Sequence, residues 1–265
     1  MCLIFLAWRQ HPDYPLVVAA NRDEFYARPT AAANFWEDAP EVLAGRDLEG
    51  GGTWLGVSRS GRFAALTNHR KAGSRLENAP TRGRLVSDFL TSRASPLDYV
   101  RSLAPNGAAY NGFNLLVADS ERLCWLSNLG GEPRRLEPGV YAISNDLLDT
   151  PWPKVVRGKS AFAKILARGE LDRSKLFDLL LDRQIAEDAA LPDTGIGLAR
   201  ERSLSPIFIT AGDYGTRSST VLLVGADGGV EFEERTHAPG DKPGSGAAGT
   251  LRYAFRIESD REPVY

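Results

Sequence analysis

The sequence predicts an α+β fold of antiparallel sheets with helices packed outside them, and three observations predict it. Apolar runs of strand length and segments of helical spacing arrive in blocks: strands, two helices, strands, two helices, strands. A doubly wound parallel sheet would alternate strands with helices, and no such βαβ order occurs. No internal repeat and no linker-like stretch divides the 265 residues, so 1–265 reads as one domain.

The elements follow in order. Cys2 to Trp8 is an apolar run, His11-Pro12-Asp13-Tyr14-Pro15 a turn, and Leu16 to Ala20 a second apolar run ending at Asn21-Arg22-Asp23-Glu24. Together they predict a hairpin of two buried strands. Thr53 to Ser58 and Arg62 to Thr67 flank Arg59-Ser60-Gly61, a second hairpin approached through Gly50-Gly51-Gly52. Thr81 is a candidate N-cap for a helix whose Leu85, Val86, Phe89 and Leu90 share one face. Leu97, Val100 and Leu103 suggest a short second helix. Strands return at Phe113 to Ala118, Leu123 to Leu126 and Val140 to Ser144. Asp149-Thr150-Pro151 opens a helix through Val155, Phe162, Ile165 and Leu166, and Leu176 to Leu181 forms another. Ile207 to Thr210, Ser219 to Val224 and Val230 to Glu234 close the fold. Residues 237–250 read as a mobile Gly/Ala/Pro loop before a last short strand near Tyr253 to Ile257.

Composition excludes several classes. Lys and Arg number 32 against 34 Asp and Glu, a net charge of −2 without a charge block. That argues against electrostatic nucleic-acid binding. The longest apolar runs, Leu16 to Ala20 and Val221 to Val224, are too short to span a bilayer. The N-terminus lacks the basic region and cleavage site of a secretory signal. Two cysteines make no disulfide framework, and the chain reads as cytoplasmic. Those cysteines and three scattered histidines show no metal-ligand spacing, so no metal site is expected.

Cys2 is the most telling position. Removal of Met1 would leave it with a free α-amine whose reference pKa, about 7.7–8.0, suits a general base at neutral pH. One residue would then supply nucleophile and base. The plainer reading makes Cys2 a small hydrophobe opening a strand. Cys124, before Trp125 in an apolar strand, reads as core. In a hairpin, the end of the second strand lies beside the start of the first, which brings Asn21-Arg22-Asp23-Glu24 toward Cys2. Nearby Arg and acids could orient a thiol or amine there and favour thiolate. Three more polar clusters end apolar runs: Thr67-Asn68-His69-Arg70, Ser144-Asn145-Asp146 and Tyr214-Gly215-Thr216-Arg217-Ser218.

Asn21-Arg22-Asp23-Glu24 resembles the name-giving motif of the NRDE family, the transport and Golgi organisation 2 proteins. Met1-Cys2-Leu3-Ile4-Phe5, Gly51-Gly52-Thr53-Trp54-Leu55-Gly56, Thr67-Asn68-His69-Arg70, Ser144-Asn145-Asp146 through Trp152-Pro153-Lys154, and Tyr214 to Ser218 are similar to its other signatures. More distantly the chain resembles N-terminal nucleophile hydrolases with Cys, such as choloylglycine hydrolases and penicillin V acylases. That resemblance implies a four-layer αββα sandwich. It also implies Cys2 as nucleophile, Asn68 as oxyanion donor, Asn145 as a positioning group and Arg217 beside the nucleophile. Those hydrolases carry Arg and, three residues later, Asp at the second strand's end. Here Asn21 and Glu24 have that spacing, with Arg22 and Asp23 between them.

Two functions are implied. The first is a Cys amidohydrolase on a non-peptide linear amide, with Asp23 or Glu24 orienting the amine and Arg22 or Arg217 favouring thiolate. The second is a carrier of haem or acyl-CoA, since the resemblance implies lipid homeostasis and haem trafficking. Phe25, Trp54 and Trp152 would line its apolar cleft, Arg22 and Arg70 would pair with acidic groups, and Cys2 or His69 would ligate haem iron. Neither function requires a cofactor, and the partner is a small molecule.

Overall fold

The computed structural model describes residues 2–74, 76–240 and 247–258. One antiparallel sheet joins β10 (Gly139–Ile143), β1 (Cys2–Trp8), β2 (Leu16–Phe25), β12 (Tyr214–Val224), β13 (Gly229–Thr236) and β14 (Gly249–Arg256), with β11 (Thr210–Ala211) paired to β12. The other runs in chain order: β3 (Thr30–Phe35), β4 (Val42–Asp47), β5 (Leu55–Ser58), β6 (Phe63–Asn68), β7 (Phe113–Ala118), β8 (Leu123–Ser127) and β9 (Arg134–Leu136). Helices α1 (Gly83–Thr91) and α2 (Pro96–Leu103) cover the second sheet. Helices α3 (Pro153–Leu166) and α4 (Arg173–Leu180) cover the first. A short α5 (Leu198–Ser203) follows a long loop.

Three apolar layers hold this αββα order together, and the period-two alternation of the central strands feeds two of them. Ile4, Leu6, Trp8, Leu16, Val18 and Ala20 face the opposing sheet. Leu3, Phe5, Ala7, Val17 and Ala19 face α3 and α4. Both faces are buried, which is why these strands read as unbroken apolar runs. Phe5 packs so closely on α3 that a side-chain carbon at Gly158 would stand 2.1 Å from its ring. Gly158→Ala is therefore expected to destabilise the protein by about 1–3 kcal/mol, read by thermal or denaturant unfolding.

The structure moves several expected boundaries. The second strand does not stop with the apolar run at Ala20: β2 continues through Asn21-Arg22-Asp23-Glu24 to Phe25, paired on one side with β1 and on the other with β12. Tyr214 to Ser218 likewise belongs to β12. Strands β3, β4 and β9 and helix α5 are not among the expected elements. Thr81 does not cap α1, which starts at Gly83 after Arg82 without a side-chain cap. Ser95 does cap α2, accepting from the Asp98 N–H and donating to its carboxylate. Helix α3 starts at Pro153, whose missing N–H suits the first turn, two residues later than expected. Ile207 to Ile209 is not a strand, and pairing there is confined to Thr210 and Ala211. Of the loop expected over 237–250, residues 241–246 lie outside the described residues, and β14 already begins at Gly249.

Candidate functional site

The β1–β2 register sets Cys2 directly opposite Arg22. On the next ladder, Arg22 stands opposite Ser218 and Asp23 opposite Thr216, with Arg217 bulged out between them. The strand ends thus converge as the hairpin geometry requires. A cleft of about 1200 Å³ opens over them, bordered by Cys2, Arg22, Asp23, Glu24, Asn68 and Arg217. Phe25, Trp54, His69 and Arg70 border the same cleft.

Alternation divides the polar residues between two faces. Arg22 shares the parity of Ala20 and turns toward the opposing sheet. Asp23 turns toward the helices, where Thr216 Oγ1 donates to its carboxylate at 2.7 Å and Tyr214 Oη donates to its backbone carbonyl at 2.8 Å. Burial pushes the Asp23 carboxyl above the usual carboxylate range, opposed by the charge of Lys154 and the Thr216 hydrogen bond. Lys154 is itself 2% exposed and donates to the Leu204 carbonyl at 3.0 Å. Burial pulls its ammonium down to about 8, opposed by Asp23.

The Cys2 thiol departs from expectation. Burial pushes it up to about 11, with Asp23 adding to the rise and Arg22 opposing it, so the thiol form prevails at neutral pH. Cys124 is also pushed up to about 11 by burial, and it lies inside the layer beneath α1 and α2. Iodoacetamide is therefore expected to label Cys2 faster than Cys124, since only Cys2 borders the cleft. Because a raised pKa leaves little thiolate at neutrality, the Cys2 rate should climb until about pH 11. Mass-spectrometric labelling kinetics across pH check both statements; a plateau near pH 8.5 would contradict the second.

The other candidate residues separate into cleft wall and support. Asn21 does not reach the cleft. Its parity points it at the helices, where Nδ2 donates to the carbonyls of Leu180 and Ile207 and Oδ1 accepts from Ser219. Asn145 stands behind the wall, its Nδ2 donating to the Asn68 carbonyl at 3.0 Å, and so supports the segment that presents Asn68. Trp152 does not border the cleft either; the Arg70 guanidinium lies 4.4 Å over its ring. Arg70 also forms a buried ion pair with Glu201 at 3.0 Å, which commits its charge to the protein rather than to a ligand. Arg217 Nη1 donates to the carbonyls of Phe25 and Arg28, pinning the β2–β3 connection. Glu24 accepts from the N–H of Phe25, and Phe25, half exposed, packs edge-to-face on Tyr214. Burial lowers the His69 imidazole below its ordinary value, so the ring is neutral at pH 7. Among the described residues, no three metal-ligating side chains cluster. Likewise none of their helices is long and apolar enough to cross a membrane.

Sequence reasoning missed Lys154, Glu201 and Glu234 as members of this region. Two left a signal. Lys154 is a cation in the first turn of α3, where the helix dipole disfavours it and no acid offsets it. Glu234 shares the core-facing parity of Val230 and Phe232, an odd place for a carboxyl.

The family model described as Transport and Golgi organisation 2 matches residues 1–239. The Transport and Golgi organization protein 2 homolog of Bos taurus is 43% identical, over 98% of this chain and 100% of its own. That of Homo sapiens is 40% identical, over 89% of this chain and 93% of its own. The Drosophila melanogaster protein is 32% identical over 89% and 92%. Among solved structures, two variants of the conjugated bile acid hydrolase from Clostridium perfringens align at 9% identity. Their TM-scores are 0.51 and 0.53, over 97% and 100% of this chain and 92% and 100% of theirs. That likeness is one of fold: the chain shares its sandwich architecture with these hydrolases.

Proposed function

This chain belongs to the Transport and Golgi organisation 2 family, and from that premise we propose that it is a cysteine amidohydrolase acting on a non-peptide linear amide through Cys2 after removal of Met1. The observation that carries the reading is the meeting of Cys2, Asp23 and Asn68 at one cleft, with Arg22 directly across the ladder from the cysteine. Met1 lies outside the described residues.

A thiol kept protonated by burial needs a base, and the freed α-amine is one of suitable strength. The amine takes the thiol proton as Sγ attacks the carbonyl carbon. The carbonyl π electrons move onto oxygen, where the Asn68 amide is the donor at hand. Collapse breaks the C–N bond, and the ammonium returns its proton to the leaving nitrogen. Water, deprotonated by the same amine, then hydrolyses the thioester. Asp23, held by Thr216, orients the amine.

A second reading, a carrier of haem or acyl-CoA, is favoured by one observation: Arg22 is 7% exposed and its Nη1 has no hydrogen-bond partner, as a site for an acidic group would require. The cleft volume admits either ligand class. Met1-free protein, verified by intact mass, should be tested on a panel of acyl amides and titrated with haem and acyl-CoA. Turnover supports the hydrolase; saturable binding that depends on Arg22, without turnover, supports the carrier.

A further inference from the structure

The floor of the cleft holds a polar group that the chemistry above does not use. Glu234 is 5% exposed and borders the cleft that Cys2 borders. One carboxylate oxygen accepts the Ala33 N–H of the opposing sheet at 2.8 Å, and Ser218 bonds the same carboxyl. Arg22 attracts it electrostatically, yet no hydrogen bond joins the two. Arg22 Nη1 is left without an acceptor, and so is the hydroxyl of Thr220, which stands opposite Glu234 in the β12–β13 ladder. Across from Glu234 lies Gly45, where a side-chain carbon would come within 3.9 Å of Oε2 and 3.2 Å of the Ala31 carbonyl. The missing side chain keeps that space open. Buried polar groups in native proteins are matched with few exceptions, and an unmatched donor on a residue that borders a cleft, as Arg22 does, points to a ligand group that completes it.

We propose that Arg22 and Glu234 form a donor–acceptor clamp beside Cys2 that takes a neutral group carrying both an acceptor and a donor, such as a carboxamide, and turns a carboxylate away. This rests on the amidohydrolase reading and narrows its substrates to amides whose group at this position is uncharged. Arg22 alone would invite an anion. With Glu234 close by, a carboxylate gains one cation and meets one anion, whereas a carboxamide sets its oxygen on Nη1 and its N–H on the carboxylate.

Iodoacetamide and iodoacetate are the probes. Both alkylate sulfur by the same displacement: the S–C bond forms, iodide leaves and the thiol proton passes to buffer. They differ in presenting a carboxamide or a carboxylate. Their rates at Cys2 are measured at pH 8 by mass spectrometry, with an unstructured peptide of the same N-terminal sequence as reference. Wild type should show a higher iodoacetamide-to-iodoacetate ratio than the peptide. Glu234→Gln, which keeps an acceptor for the Ala33 N–H, should lower that ratio about five-fold or more, because Arg22 is left uncompensated. Arg22→Met should raise it. A wild-type ratio equal to or below the peptide's, or a ratio indifferent to Glu234→Gln, overturns the clamp. Should Glu234→Gln fail to fold, Arg22→Met decides, and no rise there overturns it. Amide turnover is read on the same samples. Its absence with the selectivity intact counts against the hydrolase reading and not against the clamp.

Discussion

Cys2→Ser is expected to remove amide turnover from Met1-free protein, lowering kcat by a factor of about 10⁴ or more, while the thermal midpoint changes little. Burial already pushes the thiol up to about 11, and an alcohol in the same place is far harder to deprotonate. The α-amine would have to pull a proton from a group that the desolvated site disfavours as an anion still more strongly. The substitution is small in volume and leaves the β1–β2 ladder in place, so fold and cleft persist. Asp23→Asn is the companion variant. It keeps an oxygen for Thr216 but loses the charge that orients the amine, so kcat should fall with little change in KM. Protein that retains Met1 should be inactive without any substitution. Turnover that survives Cys2→Ser would sink the mechanism. Loss of turnover with ligand binding intact is what the mechanism requires.

How far this site was legible in the sequence depends on parity. Alternation within β1 and β2 is a local rule, and the hairpin expectation brought Cys2 to the end of the second strand. The structure adds which residue faces it. Arg22 shares the Cys2 side, while Asn21 and Asp23 point at α3 and α4. Ending the apolar run at Ala20 hid this, because parity can be assigned to Asn21 through Glu24 only if the strand continues through them. A strand end of four polar residues looks like a turn unless both neighbouring strands are known to cover it. Here β12 supplies that cover from 191 to 198 residues away, and no local pattern announces it. Helices α1 to α4 were legible because their apolar faces are periodic; α5, whose buried residue is Glu201, and β3, whose half-exposed edge position demands no apolar run, were not.

The same long-range pairing explains why Arg217, expected beside the nucleophile, and Arg70, expected to pair with a ligand, are engaged by the protein itself. Sequence shows an Arg beside an Asn and a His; it does not show that an acid from a distant helix will reach it. Arg217 is bound by the carbonyls of Phe25 and Arg28, and Arg70 by Glu201. Arg22 Nη1 remains without a hydrogen-bond partner, and the Glu234 carboxylate, bonded by Ala33 and Ser218, attracts Arg22 only through space. Arg217 and Arg70 thus hold the walls of the cleft, and Arg22 borders it with Nη1 unmatched.

Breaking the Arg70–Glu201 pair should cost about 3–5 kcal/mol of stability for Arg70→Met or Glu201→Gln alone. The two side chains are 5% and 3% exposed, so removing either leaves a charge that water cannot reach. Each is bound elsewhere too. The Glu201 carboxylate accepts from the N–H and hydroxyl of Thr194, and the Arg70 guanidinium stacks on Trp152. The pair therefore fastens α5 and the loop before it to the end of β6, and Ile196, Arg200 and Leu204 of that segment border the cleft. Replacing both partners together with Met and Leu should cost less than either single change, since no buried charge is stranded. Denaturant unfolding of the two singles and the double gives the coupling. Two singles near zero, or a double as costly as their sum, would mean that the pair is solvated and does not hold this wall of the cleft.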